Sequence, residues 1–522
     1  MRGSCSLRLP YAAGADYGVS MAKAARPQQA PALERRRAWI RETFMLDAIN
    51  DLLWGKIIIA ALIALGLVLT IVSRFVQFRY FLQMFSIMRQ AFHHEAGHLS
   101  SFQALALSVA GRVGAGNIAG VAVAISLGGP GAIFWMWVVG LVGMATSYFE
   151  CTLAQVFKNA EPDGTYRGGP AYYMQRALKQ RWMAIVFSVL LLITFGFAFC
   201  ALQSYTVATS LADAFAIPPL ASGIGLVVIL GLIIFGGVKR IAEVAEFVVP
   251  VMAIGYLLMA LVVIALNITA VPGVFASIFR GAFGLEPAFA GGMGAAIMLG
   301  VKRGLFSNEA GLGSAPNVAA VAYVPHPANQ GIVQSFSVFI DTLIMCTCTA
   351  MIILLSGVLT PGTDVGGVAV TQTALASEIG EWGRSFVSIA LLLFAFTSIM
   401  YNYYLGENSL NFFSEENKTL FTGYRIFVLA LVLWGSLQDL STVFAFADVA
   451  MGLLALVNLA ALALLFRIGL RVMKDFDAQY ASGEKPVFDS AKFPDLDIDP
   501  EAWPAGGVAA RADGIVPAAR HA

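Results

Sequence analysis

Eleven apolar segments, each long enough to cross a bilayer, succeed one another along this chain and leave few folds open to it. They fall near 55–73, 99–127, 131–157, 183–212, 219–237, 241–268, 286–321 (interrupted), 330–359, 384–412, 419–437 and 440–467. Lipid offers backbone N–H and C=O groups no partner, so such segments cross as helices whose hydrogen bonds close internally. The expectation is an all-α polytopic membrane protein with the lipid bilayer as its main partner. With 58% hydrophobic and 12% charged residues, the chain is far less charged than a soluble domain, which carries about 25%. A formal net charge of +1 gives no electrostatic case for binding nucleic acid. Four of the five cysteines, Cys151, Cys200, Cys346 and Cys348, lie in apolar segments and read as small buried residues rather than disulfide partners or metal ligands.

Residues 1–44 are polar and irregular, with Arg35-Arg36-Arg37 and no apolar run of signal-peptide type. They read as a disordered tail or an over-extended start, because Met45 opens a cleaner membrane-protein beginning. Residues 45–98 hold the first span and a stretch, Phe78–His94, that alternates aromatics with Arg79 and Arg89 and suits an interfacial helix. Loop charge sets orientation. One set of loops carries Arg74, Lys158, Arg176, Lys179, Lys239, Arg240, Lys418 and Arg471, and the other only Arg280 and Arg384. The basic set reads as cytoplasmic, which puts the N-terminus outside and the polar tail 472–522 inside. The basic residues of 1–44 conflict with this assignment unless the chain starts at Met45.

Within the second segment, Gly111-Arg-Val-Gly-Ala-Gly-Asn-Ile-Ala-Gly120 places four glycines in ten residues. Each costs a helix interior roughly 1 kcal/mol relative to alanine. An unwound turn in a bilayer survives where it lines a cavity that satisfies its polar groups, as a broken transporter helix does. The alternative is a close helix contact through the Gly116–Gly120 GxxxG pair. A second interruption, Gly300-Val-Lys-Arg-Gly-Leu-Phe-Ser-Asn-Glu-Ala-Gly-Leu-Gly-Ser-Ala-Pro316, falls in the seventh segment. The first break opens five spans (99–268) and the second opens another five (286–467). Two glycine breaks at matching positions of two halves point to a 5+5 inverted repeat with a site at the midplane, the first span lying outside it.

From Met45 to about Arg471 the chain resembles the alanine-or-glycine:cation symporter family, the sodium:alanine symporters. The resemblance rests on Gly111–Ala122, Thr165-Tyr-Arg-Gly-Gly-Pro-Ala-Tyr-Tyr173, Arg303–Pro316, Phe339-Ile-Asp-Thr-Leu343 and Phe394-Ala-Phe-Thr-Ser-Ile399. It implies a LeuT-type fold in a bacterial inner membrane, uptake of a small neutral amino acid coupled to Na⁺, and no organic cofactor. By position, free N–H groups around Gly114, Gly116 and Asn117 would hold the substrate carboxylate at the positive end of a half-helix. Na⁺ would lie between the carbonyls of Ala110, Val113 and Phe394 and the hydroxyls of Thr397 and Ser398. Five oxygens without formal charge suit a weakly bound monovalent ion better than Ca²⁺. Back-bonding of the two hydroxyls within their own helix is the alternative, as helix capping is for Asn117. Gln203 reaches either the substrate or a neighbouring helix. Asn308 is expected to line the site, with Asn402, and Glu309 to act as a gate or structural ion-pair partner. Relatives commonly carry Gly-Trp where this chain has Tyr401-Asn402, so the side-chain pocket differs and the amino-acid class is firmer than alanine or glycine.

Glu150 and Asp341 lie inside apolar spans, where a charge marks function or a buried pair, with Lys302, Arg303 and Arg112 as possible partners. Coupling to H⁺ instead of Na⁺ keeps the same fold. His94-Glu95-Ala-Gly-His98 fits the H-E-x-x-H helix of zinc proteases, with two imidazoles on one face and Glu95 as base. The match lies in a short polar connection and lacks a convincing third ligand, so an intramembrane protease is the weaker alternative and an interfacial turn the simpler one.

Overall fold

A computed structural model describes residues 50–506, apart from 51, 92–97, 163, 286–291, 360–366, 416 and 439–440. The tail 1–44, His94 and Glu95 lie outside the described residues.

Helix α1 (Leu53–Val72) is followed by the short α2 (Val76–Arg79) and α3 (Phe81–Ala91). Across α2 and α3, Phe78, Leu82 and Phe85 are exposed while Tyr80 and Met84 are buried, a two-sided pattern. Then come α4 (Ser101–Arg112) and α5 (Gly116–Gly128), bent by 47° across residues 113–115, and α6 (Gly131–Val156). A two-stranded antiparallel pair, β1 (Asn159–Ala160) and β2 (Tyr166–Arg167), precedes α7 (Pro170–Arg176), α8 (Arg181–Phe215), α9 (Pro219–Ile234) and α10 (Gly237–Leu266). The rest of the chain forms α11 (Val271–Ala282), α12 (Gly292–Asn308), α13 (Ala315–Ala319), α14 (Pro327–Ser356), α15 (Val368–Ile379), α16 (Trp382–Phe413), α17 (Lys418–Ser436) and α18 (Ser441–Ala481).

Among the described residues eight helices are long and apolar enough to cross a membrane, and the bent α4–α5 pair brings the number to nine. Two of the eleven expected segments fall below that length for local reasons. The segment at 219–237 folds as the 16-residue α9, started by Pro219 and stopped before Gly237, whose φ is +71°. The segment at 286–321 divides into α12 and the five-residue α13. At the other end, α18 runs past 467 to Ala481 before the chain turns back.

The two broken helices occupy the centre, where almost every side chain from Gln103 to Ile125 is buried. α6 lies between α12 and α14, and α16 runs beside α4 and α8. The outer helices α1, α9 and α10 instead expose Ile71, Leu232 and Phe247, as helices facing hydrocarbon do. A reciprocal capping box fixes the start of α4. Ser100 Oγ accepts from Gln103 N–H, and Gln103 Oε1 accepts from Ser100 N–H, both at 3.1 Å.

The second break illustrates how irregular backbone is tolerated in a buried setting. Gly311 and Gly313 take φ of +92° and +80°, values a side chain would strain. Gly311 N–H donates to Glu150 Oε1 at 3.2 Å, and Gly311 C=O accepts from Asn458 Nδ2 at 3.0 Å. The Gly313 and Ser314 carbonyls accept from Asn317 Nδ2 at 2.8 and 2.9 Å. A carboxylate on α6 and an amide on α18 thus replace the helical partners that the glycines give up.

Candidate substrate and ion site

The first break is held by side-chain amides from two directions. Gly114 N–H donates to Asn117 Oδ1 at 3.0 Å, and Ala115 N–H donates to Gln203 Oε1 of α8 at 3.2 Å. A Cβ added at Gly114 would stand 2.4 Å from Ser398 Oγ and 2.8 Å from Gln203 Nε2, so the backbone approaches both side chains as closely as glycine allows. Gln203, expected either on the substrate or on a neighbouring helix, makes the interhelical bond.

Four of the five oxygens expected around a sodium ion form one connected group. Ser398 Oγ donates to Ala110 O and lies equally near Phe394 O, at 2.9 Å each. Thr397 Oγ1 donates to Phe394 O at 3.0 Å. Thr397 back-bonds within its helix and, among the described residues, otherwise meets only Met252 Sδ of α10 at 3.8 Å, whereas Ser398 bridges α16 to the broken helix. Val113, at the mouth of the turn with φ −81° and ψ 86°, is fully buried beside them.

Asn117 turns its other end to Asp341. Its Nδ2 donates to Asp341 Oδ1 at 2.7 Å and approaches Cys346 Sγ at 3.4 Å. Ser307 Oγ and Thr342 Oγ1 donate to Asp341 Oδ2 at 2.9 and 2.8 Å. Asp341 on α14 thereby joins the first break, through Asn117, to the end of α12, through Ser307. Glu309 accepts from Ser314 Oγ at 2.6 Å and from the Tyr401 hydroxyl at 2.9 Å. The Tyr401 ring rests on Gly111, where an added Cβ would meet ring carbons at 2.3–2.6 Å.

The proposed cationic partners lie elsewhere, which corrects the reading of the buried acids. Lys302 Nζ and Arg303 Nη1 meet Asp448 on α18, at 2.6 and 3.9 Å. Arg112 donates to Gln334 O and Ser147 Oγ at 3.0 Å and to Ser337 Oγ. Neutral donors hold the Glu150, Glu309 and Asp341 carboxylates themselves.

Asn308 and Asn402 are not tied to the Gly114–Gly116 turn by any hydrogen bond among the described residues. Asn308 Oδ1 accepts from Ala310 N–H at 3.0 Å and faces Gly143 of α6, and the Nδ2 atoms of both asparagines are buried without a partner. Ser307, Cys346 and Asp448 were missed, and Tyr401, singled out for the side-chain pocket, was not paired with Glu309. Ser307 precedes Asn308 in the quoted motif, so its position carried a signal; the other three act through pairings distant in sequence.

A cavity of about 420 Å³ runs from Ala115 and Gly120 past Thr206, Arg303 and Phe306 to Asp213 and Gly367. Asp213 lies near the end of α8 opposite Lys179, so the cavity opens away from the face that carries the C-terminal segment. Phe306 stands between it and Gly116, 5.0 Å from the Phe199 ring and 3.0 Å from an added Gly116 Cβ.

The sequence from 39 to 490 matches the model of the sodium:alanine symporter family. The chain belongs to that family. It is 48% identical over 465 residues to the amino-acid carrier protein AlsT of Bacillus subtilis, covering 88% of this chain and 98% of that one. To the probable sodium/glutamine symporter GlnT of the same organism it is 46% identical, covering 84% and 91%. The structure of MhsT in complex with L-phenylalanine superposes with a TM-score of 0.51 at 14% identity, over 71% of this chain and 90% of that one, which establishes the LeuT-like fold. A sodium:alanine symporter is a transporter and not an enzyme, so the His94-Glu95-x-x-His98 match is no protease signature. His98, the one of the three among the described residues, stacks between Tyr166 and Tyr323 with ring centroids 5.6 and 5.0 Å away.

Proposed function

We propose that this sodium:alanine symporter imports a small neutral amino acid with Na⁺ across the bacterial inner membrane by alternating access. In this reading the eleven segments cross the membrane with the N-terminus outside and the C-terminus cytoplasmic, ten of them in a 5+5 inverted repeat. The observation that carries it is Ser398 Oγ, which meets Ala110 O and Phe394 O at one point beside Gly114. Sodium takes the place of the hydroxyl hydrogen bonds there, bound by Ala110, Val113 and Phe394 carbonyls and by the Thr397 and Ser398 oxygens, whose protons turn away and stay attached. The substrate carboxylate takes the N–H groups of Gly114 to Gly116, displacing the amide oxygens of Asn117 and Gln203. Asn308 and Asn402 offer further donors from the buried side. Phe306 covers the turn from the cavity. Substrate enters from the Asp213 side and leaves toward the basic face.

Because both ligands fix the same turn, each raises the affinity of the other by the same factor. The AlsT and GlnT names support an amino acid as cargo and GlnT's supports sodium. The deciding experiment is uptake of labelled alanine, glycine, serine and glutamine into proteoliposomes under an inward Na⁺ gradient or, separately, an inward H⁺ gradient. Concentrative uptake with Na⁺ alone is the expected result. Equal uptake under the H⁺ gradient replaces the ion, and no uptake of any of the four rejects the reading.

Ser398→Ala removes the hydroxyl that links the two helices. It is expected to raise the Na⁺ concentration for half-maximal uptake about tenfold, the equivalent of roughly 1.4 kcal/mol. Uptake at graded external Na⁺ checks this, and an unchanged Na⁺ requirement returns Ser398 to helix back-bonding.

A further inference from the structure

Residues after α18 fold back over the basic face and bury aromatic side chains in it. Phe488 and Trp503 are fully buried and meet edge to face at 5.0 Å. Phe488 N–H donates to Pro325 O at 2.9 Å, and Trp503 Nε1 donates to Gln155 O, at the end of α6, at 2.7 Å. Lys158 is buried beneath them with Nζ 4.7 Å from the Trp503 ring, donating to Ala322 O at 2.9 Å. Gln155 Nε2 donates to the same carbonyl at 3.0 Å.

The gripped segment, 319–325, is the exit of the second broken helix. Its other side pairs with the entrance of the first: Leu99 and Ala322 form a parallel bridge, and Tyr323 N–H donates to Leu99 O at 2.9 Å. For the central site to open toward this face, Leu99 and Ala322 must part. The C-terminal segment holds one partner in place from behind, and ion pairs fasten its length. Asp495 meets Arg471 through two bonds of 2.6 and 2.8 Å, and Asp497 meets Lys179 at 2.8 Å. Those hydrogen bonds keep both carboxyls below the usual carboxylate range, so the fastening survives mildly acidic pH.

We propose that residues 487–503 form a latch that holds the transport site closed toward the basic face, and that release of Trp503 from Gln155 and Lys158 shifts the symporter toward the state open on that side. The inference rests on the alternating-access reading. The latch is set by the chain itself, so anything that binds or cleaves this segment would change the resting balance of the two states.

The test uses Leu99→Cys/Ala322→Cys in the full chain with Cys5→Ser, since bridged strand positions lie about 5 Å apart, within disulfide reach. Oxidative crosslinking of the purified protein, without substrate or sodium, reads how often the two segments meet. In the intact chain crosslinking is fast and blocks uptake until the bond is reduced. Adding Trp503→Ala, or ending the chain after Ser482, should slow crosslinking about fivefold as the closed population falls. Substrate binding should persist. An unchanged rate in both variants overturns the latch, as does slowing seen only where binding is lost. Because crosslinking is read without ligand, failure of Na⁺-driven uptake in the wild-type chain would reject the symport reading and leave this result separate.

Discussion

Gly114→Val abolishes Na⁺-driven uptake and substrate binding while the purified protein keeps its fold. The two atoms that a Cβ would strike, Ser398 Oγ at 2.4 Å and Gln203 Nε2 at 2.8 Å, are ends of side chains that can rotate away. Rotation spares the fold and removes both from the site, since Ser398 no longer meets Ala110 O and Gln203 no longer holds Ala115 N–H. The valine also fills the space a carboxylate needs against bare backbone. A fall in uptake on the order of a hundredfold or more is expected, the effect of losing about 3 kcal/mol of binding. Proteoliposome uptake, with a thermal melt of the same preparation, measures both halves. The contrast is Gly111→Ala, whose added methyl meets the rigid Tyr401 ring and lowers the melting temperature instead. Retained uptake in Gly114→Val would remove the turn from the binding site.

The second large effect is expected at Asp341. Asp341→Ala strips the acceptor from Asn117 Nδ2, Ser307 Oγ and Thr342 Oγ1 at once. Each buried donor left unmade costs about 1–3 kcal/mol. Asn117 then lacks the anchor that points its Oδ1 at Gly114 N–H, so the damage passes from α14 to the turn. Uptake should fall below detection and the melting temperature should drop by several degrees. Ser307→Ala, which removes a single donor, should cost far less in both. If Asp341→Ala transports like the wild type, the carboxylate is a bystander to the site.

How much could be read from the sequence follows the range of each interaction. The broken helices were legible because glycine is locally costly and four in ten residues inside an apolar run need a reason. Thr397 and Ser398 were singled out through the resemblance, and Ser398 joins α16 to the first broken helix through Ala110 O. Partners of the buried charges were not legible. Lys302 and Arg303 meet Asp448, and Glu309 meets Tyr401, across sequence distances that only the folded register resolves. Asn308 illustrates the same limit, because a residue known to stand in a break has no stated direction until the break is built. The length of α9 was set by Pro219 and Gly237, both visible, yet an apolar count alone overlooked them. The polar C-terminal tail hid its structure in the opposite way, since an acidic stretch with well-spaced Phe488, Phe493 and Trp503 reads as solvated until the aromatics are seen to be buried.

The oxygens gathered at Ser398 and Phe394 carry no formal charge, and that has an electrical consequence. On the proposed reading, with one sodium entering beside each zwitterionic amino acid, a full cycle moves one net positive charge inward. Membrane voltage would therefore add to the driving force of that cycle. An interior 100 mV negative contributes about 2.3 kcal/mol per charge moved. That is worth roughly a fiftyfold gradient of amino acid before any sodium gradient is counted. A cell whose inner and outer sodium levels are equal would still accumulate its substrate for as long as it held its potential.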